Sequence, residues 1–467
     1  MLGVGFAQTL SFNAPKNAAN QPFRVGVDGQ IPVPVNTAVT SPVVPAKPFG
    51  ETLSFTLDPN VKDPYNHAID ITVQREMPGN MLLEVGYLGR YARNLYQNLN
   101  LNSTPYFHKD KVSGQRFSQA FDAVAKQLRA GTPAASVTAQ PWFTNQIPAL
   151  GAGATSFLAA NAGASFIDGN LNNLWNLFID FFTTPHNNQQ SLDLFVRSSN
   201  GRSAYNAMFV TLHKRMSRGF AFDVNYTLSK SRDQIGGIQN FVSQLSSSFD
   251  PEIDYAPSDF DRTHNLNVNF VYDLPFGKDR RFSAGNFADN LIGGWYVAGI
   301  YTASSGVPLT VVQSFQAWGS GAVFGTAAGA IPTGSLSGVG NNLNRGVAGS
   351  GGIGTSGNPA TKGTGLNLFA DPAAVFNLFR KINLDSDTSS GRGVLRGFSR
   401  WNLDFTLGKE TRFGENIRFT LTADLFNVFN RVNFNNPGLS LTNQATFGVV
   451  TSAFGSRRIQ IGGRFAF

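Results

Sequence analysis

Apolar and polar residues alternate along the last ten positions of the chain, up to a terminal phenylalanine. Ile459, Ile461, Phe465 and Phe467 fall on one side of an extended strand, and Arg464 falls on the other. A strand that is apolar outside, polar inside and aromatic at its end is typical of the closing strand of an outer-membrane barrel. The pattern therefore predicts that the chain ends as a membrane-spanning strand.

The same alternation of period two recurs along the chain. It predicts strands over 68–74, 81–87, 208–212, 220–228, 266–274, 294–303, 401–407 and 417–425, with tight turns near 77–80, 215–219 and Gly414. Two less regular stretches, 4–12 and 51–57, are also expected to be strands. The fold class that follows is all-β: an antiparallel transmembrane β-barrel, partial, with about ten to twelve strands.

The predicted connections alternate between short and long. Long loops are expected near 96–203, 231–263, 304–399 and 430–456, and we treat 1–467 as one barrel portion in which no plug domain is visible. Helices are predicted over 118–128 and 171–182; the apolar face of the second is expected to pack within its own loop rather than bind a ligand. Barrels with short periplasmic turns and long outer loops show this alternation.

Composition supports a membrane location. Charged residues make up only 14% of the chain and aromatic residues 12%, yet no apolar run approaches the roughly 18 residues that a spanning helix needs. Lipid leaves no backbone group unpaired, so a membrane protein without such helices must be a closed barrel. We therefore predict the outer membrane of a Gram-negative bacterium, and the absence of Cys fits an oxidising compartment.

Charge and the N-terminal sequence add two expectations. The net charge of +8 is scattered over turns, strand ends and inward positions rather than gathered in one run, so no nucleic-acid partner is predicted. The first eight residues contain neither a basic region nor an apolar core long enough for a secretory signal. We therefore expect that the chain is a fragment of a longer protein.

Motifs for catalysis or cofactor binding are weak. A G-x-G-x-x-G match at 349–354 lies in a glycine-rich loop without the strand and helix that dinucleotide binding needs. The five histidines show no metal-ligand spacing. Ser258, Asp259, Asp261 and His264 are the only close acid, base and nucleophile candidates, and nearness in sequence does not make a triad. We predict no enzyme activity, no cofactor and no metal.

The segment 258–264 still concentrates charges of both signs where a long loop returns to a strand. Asp259, Asp261, Arg262 and His264 form this predicted rim cluster. One interpretation is a set of ion pairs and hydrogen bonds that fixes the start of the strand. The other is a contact for a ligand or a plug. The first is favoured, because rim ion pairs are common and individually weak.

A series of short motifs resembles the TonB-dependent receptors of the Oar-like, carboxypeptidase-regulatory-domain type. The motifs are LDPNVKDPY at 57–65, QREMPGN at 74–80, EVGYLG at 84–89, YNA at 205–207, KRMSRG at 214–219, YTLSKS at 226–231, SDFDRTH at 258–264, LPFGK at 274–278, GGW at 293–295, FNVFNRVNF at 426–434 and FG at 447–448. The resemblance implies the C-terminal part of a ligand-gated barrel of about twenty-two strands. It implies TonB as a partner only through a missing N-terminal part.

The leading functional hypothesis is a fragment of a TonB-dependent transporter whose parent takes up a bulky ligand, namely an oligosaccharide, a peptide or a metal chelate. The residues predicted to line the lumen, either as a wet wall or as ligand contacts, are Asp223, Asn225, Asn267, Asn269, Asn402, Asp404, Arg418, Asp424 and Arg464. Phe465 and Phe467 are predicted to be the outer-membrane insertion signal. The expected partners are outer-membrane lipid, the barrel-assembly machinery and an unknown ligand.

Two alternatives stay open. One is a structural or adhesive surface protein, with its function in the loops at 100–200 and 310–395, or a small ungated barrel. A soluble β-rich secreted protein would instead pack its apolar strand faces against a second sheet.

Overall fold

The computed structural model describes residues 27, 54–181, 193–235, 245–278, 280–283, 285–315, 317–319, 327–339, 365–413 and 417–467. The strands are β1 Ser54–Leu57, β2 Tyr65–Met77, β3 Met81–Asn100, β4 Leu194–Ser217, β5 Phe220–Asp233, β6 Ala256–Pro257, β7 His264–Asp273, β8 Trp295–Ser304, β9 Pro308–Leu309, β10 Val312–Phe315, β11 Ala327–Gly329, β12 Ile331–Pro332, β13 Phe379–Arg380, β14 Leu395–Arg396, β15 Arg400–Phe413, β16 Ile417–Phe426 and β17 Arg458–Ala466. The helices are α1 Phe117–Arg129, α2 Pro141–Gln146, α3 Ala154–Asn161, α4 Gly163–Asp168, α5 Leu171–Phe181, α6 Asn286–Ile292 and α7 Pro372–Asn377.

One antiparallel sheet organises the chain. Its long strands follow the order β17-β16-β15-β8-β7-β5-β4-β3-β2, while β1 pairs in parallel with β4 and β6 pairs with β5. Every other neighbour along this path is antiparallel. The predicted all-β antiparallel architecture with helices in the loops is confirmed. Within the described residues the path ends at β2 and β17, which do not pair with each other.

Two tight turns close one end of the sheet, which we call the short-turn end. In the β2–β3 turn, Gly79 and Asn80 have φ of 85° and 59°; in the β4–β5 turn, Arg218 and Gly219 have φ of 52° and 80°. Two successive positive φ values match the right-handed twist of flanking strands, and Gly and Asn tolerate them best. The predicted turn near Gly414 lies outside the described residues.

The long connections emerge at the opposite end, which we call the long-loop end. Here β3 runs to Asn100 and β4 begins at Leu194, so both strands extend beyond the predicted loop boundaries of 96 and 203. The first half of β4 continues the ladder because Phe195 pairs with Asn100 and Leu194–Arg197 pair with β1. The predicted strand at 4–12 and the glycine motif at 349–354 lie outside the described residues.

The two faces of the sheet differ in chemistry. Directly opposed residues of antiparallel strands share a face, so the register sorts every side chain. One face carries Ile71, Val85, Val210, Val224, Val268, Tyr301, Leu403, Ala423 and Ile461, and we call it the apolar face. Ile71 and Ile461, on the two edge strands, leave 60% and 75% of their surface exposed, and Met208 on the interior strand β4 leaves 43%, as expected where lipid is the solvent. The other face is the polar face.

A compact helical unit covers part of the long-loop end. It consists of residues 101–181 together with 317–318 and 382–384, and we call it the cap. Its core buries Phe117, Phe121, Trp142, Phe143 and Phe178 almost completely, and Trp318 and Leu384 join this core from the connection between β8 and β15. A second, smaller core between 309 and 450 includes Leu368, Phe369 and Phe447.

Two helices of the cap, α1 and α5, were predicted from the sequence, whereas α2, α3 and α4 were not. Helix α1 begins at Phe117 and ends at Arg129, one residue beyond the predicted bounds at each end. Helix α5 begins at Leu171 as predicted. Leu171, Leu174 and Phe178 face the core of the cap, so the prediction that this face packs within its own loop is confirmed.

Candidate functional site

The polar face is the candidate site, and its first element is a row of hydrogen-bonding side chains. Thr211 of β4 lies opposite Asn225 of β5, which lies opposite Asn267 of β7. Asn267 faces Thr302 of β8, and Thr302 faces Asn402 of β15. Thr211 Oγ1 donates to Asn225 Oδ1 at 3.1 Å. The row therefore crosses five neighbouring strands without an apolar interruption.

A second row, two residues closer to the short-turn end on β5, brings in carboxylates. His213 lies opposite Asp223, and Asp223 lies opposite Asn269. His213 Nδ1 is in close contact with Asp223 Oδ1. The row continues from Asn269 through Ile300 to Asp404, so one amide and one exposed aliphatic side chain separate the carboxylates of Asp223 and Asp404.

A further carboxylate in the middle of this face is on β16. Asp424 lies opposite Thr406, whose Oγ1 donates to Asp424 Oδ1 at 2.7 Å. Asp404 Oδ1 accepts from Asn402 Nδ2 and from the backbone N–H of Asn427, both at 2.8 Å. Each carboxylate is thus oriented by a neighbour while keeping oxygens available. The contact with Asn427 was not predicted, because this residue follows the strand and carries no signal of period two.

The register assigns all nine predicted lumen residues to this one face. They are Asp223, Asn225, Asn267, Asn269, Asn402, Asp404, Arg418, Asp424 and Arg464. Arg418 and Arg464 lie nearer the short-turn end, where Glu410 Oε1 is 3.4 Å from Arg418 Nε and 3.0 Å from Arg412 Nε. Carboxylates and amides therefore occupy the middle of the face, and guanidinium groups its short-turn end. Their contact with a ligand stays a prediction.

Two concavities lie against the polar face. One has a volume of about 490 Å³ and is lined by Asp223, Asn269, Asp404 and Asp424 together with a larger apolar surface that includes Ile300 and Phe426. The other, about 800 Å³, lies toward the long-loop end and is lined by Asn402, Asp404, Asn427, Asn433 and Gln460 among others. Asp404 lines both. Volumes of this order accommodate small ligands, and the carboxylates and amides would provide specific contacts.

The predicted rim cluster is held by partners outside its own segment. Asp261, fully buried, accepts from the backbone N–H of Ser231 and from Arg396 Nη2, each at 2.6 Å. Arg262 Nη1 donates to Ser304 Oγ at 2.9 Å and to the carbonyl of Ser305 at 2.8 Å. These contacts join the connection before β7 to the ends of β5 and β8 and to the connection between β8 and β15, as the structural interpretation requires.

The remaining two cluster residues point elsewhere. His264 lies on the apolar face, where its Nδ1 is 2.7 Å from the Tyr226 hydroxyl. Asp259 lines a cavity of about 160 Å³ with Asp254 and Arg392. Burial raises the pKa of Asp259, and Arg392 opposes that shift. The structure therefore places these two side chains apart from Asp261 and Arg262, because strand alternation directs His264 to the apolar face and Asp259 lines a separate cavity.

The acid, base and nucleophile candidates do not meet. Ser258 Oγ is 2.8 Å from Ser231 Oγ, and His264 bonds Tyr226 instead. Among the residues that the structure describes, no three His, Asp or Glu side chains are placed to share a metal ion. In the same part of the chain, none of the helices combines the length and the apolar character that crossing a membrane requires.

The cap is pinned to the connection between β8 and β15 by two carboxylates. Asp122 of α1 accepts from the backbone N–H groups of Leu384 and Asp385, both at 2.9 Å. Asp385 in turn accepts from Ser118 Oγ at 2.9 Å. Burial raises the pKa of Asp122 to about 6, against the two backbone hydrogen bonds and the charge of Arg129. Sequence gave no signal for this pairing, because its partners are remote along the chain.

A third carboxylate of the cap behaves in the opposite way. Burial alone would raise the pKa of Asp110, but hydrogen bonds from Ser113 and Asn145 bring it down to about 2. Asp110 Oδ2 accepts from the Ser113 N–H and from Asn145 Nδ2, both at 2.7 Å. Asp110 therefore stabilises its loop as an ionised acceptor at neutral pH.

The antiparallel sheet with one lipid-compatible face and one polar face defines the wall of a transmembrane β-barrel. The family model described as an outer membrane beta barrel domain matches residues 2–460. The chain therefore belongs to this family, and the predicted location in the outer membrane is confirmed. No curated protein matches the sequence.

Solved structures similar to this chain come from several bacteria. The outer membrane transporter YddB from Escherichia coli is 10% identical with a TM-score of 0.38, and the match covers 89% of this chain and 35% of that one. The ferric-catecholate import receptor Fiu from Escherichia coli is 9% identical with a TM-score of 0.33, and the match covers 90% of this chain and 30% of that one. The pyoverdine outer membrane receptor FpvA from Pseudomonas aeruginosa is 7% identical with a TM-score of 0.33, and the match covers 87% of this chain and 30% of that one. The chain thus spans about a third of the length of each of these proteins.

Proposed function

We propose that the chain is the C-terminal part of a TonB-dependent outer-membrane transporter, and that its polar face lines the route of a bulky ligand. The observation that supports this most is the unbroken row from Thr211 to Asn402, which presents hydrogen-bonding groups across five strands. A wall that serves only as a shell needs polar residues but no such alignment. Here the amides and carboxylates also meet at two concavities.

The orientation follows from the connections. The short-turn end lies in the periplasm and the long-loop end outside the cell, so the cap covers the outer side of the wall. Phe465 and Phe467, both exposed on the last strand, act as the insertion signal read by the barrel-assembly machinery. TonB is engaged through a part of the parent protein that precedes this chain.

The ligand is polar and bulky. Asp223, Asp404 and Asp424 give the middle of the wall a negative potential, and the neighbouring Asn side chains both donate and accept hydrogen bonds. Such a surface suits an oligosaccharide, a peptide or a metal chelate. Arg418 and Arg464 reverse the sign of the potential further along the route.

Ion conductance in planar bilayers tests whether this face lines a water-filled route. The full chain is compared with D404N and D424N, which remove one negative charge each while keeping a hydrogen-bond acceptor. We expect both variants to lose part of the preference for cations over anions. D63N is the matched control, because Asp63 is an exposed carboxylate on the connection between β1 and β2. Equal selectivity in all four proteins would contradict the proposal.

Cysteine labelling tests the two faces directly, since the chain contains no native cysteine. N269C and F270C place thiols on adjacent positions of β7 that belong to opposite faces. In vesicles, a membrane-impermeant maleimide is expected to react with N269C only. Failure of N269C to react would contradict the proposal, and reaction of F270C at the same rate would show that the two faces do not differ in their access to water.

The second candidate is a structural or adhesive surface protein. The observation in its favour is the cap, whose core of buried aromatic side chains resembles that of an independent globular unit more than that of a simple loop. This candidate predicts no conductance in any variant. It also predicts that cells lose adhesion when the cap is unfolded while the sheet stays inserted.

A further inference from the structure

Three lysines of the described strands lie on the apolar face of the sheet. Lys409 of β15 donates to the carbonyls of Leu291 and Gly293 at 2.7 and 2.9 Å, and the other two lie at opposite ends of the sheet. Lys214 of β4 is opposite Met81 and Phe222, near the short-turn end. Lys230 of β5 is opposite Asn206, toward the long-loop end. A cationic side chain on a lipid-exposed face is costly unless it reaches a partner. The two positions therefore pose the same physical problem.

Lys214 finds its partners within the chain. Its Nζ donates to the carbonyl of Phe220 at 3.1 Å and to that of Ser217 at 3.5 Å, and it also contacts Ser217 Oγ. Lys230 is exposed, and within the described residues its ammonium group has no hydrogen-bond or ion-pair partner. The chain thus provides hydrogen-bond acceptors for the first ammonium group and leaves the second available.

The surroundings of Lys230 are ordered by polar contacts. The hydroxyls of Tyr87 and Tyr91 both donate to Asn206 Oδ1, at 2.7 and 2.5 Å. Both rings lie over Gly89, which is opposite Asn206 on β3; a Cβ at Gly89 would come within 3.1 Å of each tyrosine. Because the Asn206 oxygen is occupied, its Nδ2 is left to donate, and Asn206 is the cross-strand partner of Lys230 on the same face.

The height of this group matches a membrane interface. At about 3.3 Å per residue and a tilt of about 40°, the segment of β5 from the turn at Gly219 to Lys230 rises roughly 28 Å. The apolar band of such barrels is about 25 Å tall and is bordered by aromatic side chains. Lys230, Asn206 and the two tyrosines therefore lie where lipid headgroups begin, on the side of the long loops.

We propose that Lys230 and Asn206 bind the phosphate of an anionic membrane lipid, with Tyr87 and Tyr91 positioning the Asn206 amide. The phosphate supplies oxygens that accept from both donors, and its charge neutralises the ammonium group. Tyrosine suits this depth, because its ring is compatible with acyl chains and its hydroxyl with the headgroup region. The site is on the opposite face from the ligand route and does not depend on transport.

The test measures lipid retention by the full chain. The protein is reconstituted in phosphatidylcholine nanodiscs doped with phosphatidylglycerol, released into detergent and examined by native mass spectrometry. We expect wild type to retain phosphatidylglycerol over phosphatidylcholine, and K230Q to lower that preference about fivefold, as for one basic side chain at an anionic surface. K214Q is the matched control and is expected to behave as wild type.

Two further measurements keep the outcome interpretable. K230R is expected to restore retention, and inorganic phosphate in the detergent buffer is expected not to displace the lipid, because the acyl chains contribute to binding. Insertion of each variant is checked by its heat-modifiable mobility on gels. Retention unchanged in an inserted K230Q, retention lost equally in K214Q, or displacement by free phosphate would each overturn the proposal.

Discussion

The sheet and the cap are stabilised in different ways. In the sheet, apolar side chains such as Ile71 and Ile461 stay largely exposed to the surroundings, and the backbone ladder provides the order. In the cap, Phe117 and Phe143 are completely buried against other aromatic rings, as in a water-soluble domain. The two regions are therefore adapted to different surroundings, the sheet to lipid and the cap to water. The sheet depends on lipid for its apolar face, whereas the cap carries its own hydrophobic core.

F143A is expected to produce the largest difference in stability between the two regions. Phe143 stacks against Phe178 at 6.2 Å and meets Trp142 edge-on at 5.4 Å, with no exposed surface. Removing such a ring leaves a cavity and costs about 3–5 kcal/mol. We expect the cap to become sensitive to protease while the sheet keeps its heat-modifiable mobility.

F157A is the control for this experiment. Phe157 lies on α3 of the same cap with 41% of its surface exposed, so its truncation leaves a smaller cavity. The expected protease sensitivity is close to wild type. If F143A also released the sheet from the membrane, the cap and the sheet would have to be regarded as one cooperative unit.

A second, smaller difference in stability is expected between substitutions on the two faces of the sheet. Val224 lies opposite Leu212 and Val268 on the apolar face, about halfway along β5. In V224R the arginine would lie near the bilayer midplane, at a cost of about 2–4 kcal/mol. Urea unfolding in lipid vesicles, followed by tryptophan fluorescence, measures this loss. In N225R, the control, the arginine faces the polar side, and most of the stability is expected to be retained.

Sequence reasoning predicted the sheet well because its rule is local. Alternation of period two depends only on which residues face lipid, so the strands and all nine residues assigned to one face follow from it. Helices α1 and α5 were recovered for a similar reason, since their apolar positions repeat at helical spacing. In both cases the periodicity is visible within one element.

Contacts between distant segments could not be predicted in the same way. The pairing of Asp261 with Arg396, and that of Asp122 with the backbone at 384–385, each join connections that are far apart in sequence. No periodicity links such residues; only the path of the loops over the end of the sheet brings them together. The strand residues of β3 after 96 and of β4 before 203 were assigned to a loop. Many of them are polar and lie at the long-loop end rather than against lipid, so they lack the alternation that marks the membrane-spanning part.

The smallest effect expected from the comparison is a dependence on pH that belongs to the cap. Asp122 has a pKa of about 6 in the folded chain, above the ordinary value of 3.8, because burial disfavours its charge. The folded cap therefore holds this proton more tightly than the unfolded chain does. Its contribution to stability is full below about pH 4 and is lost as the pH rises through about 6. Allowing for partial exposure, the free energy of unfolding of the cap is expected to be about 2 kcal/mol lower well above pH 6 than below pH 4.

Protease sensitivity of the cap, measured between pH 4 and pH 8, checks this prediction, and D122N is the variant to compare. Asn keeps an acceptor for the N–H groups of Leu384 and Asp385 but cannot ionise, so the slope between pH 4 and pH 6 should flatten. Asp110 does not interfere, because its depressed pKa of about 2 places its own loss of stability at more acidic pH. A slope of the opposite sign in wild type would mean that the backbone hydrogen bonds of Asp122 outweigh its burial.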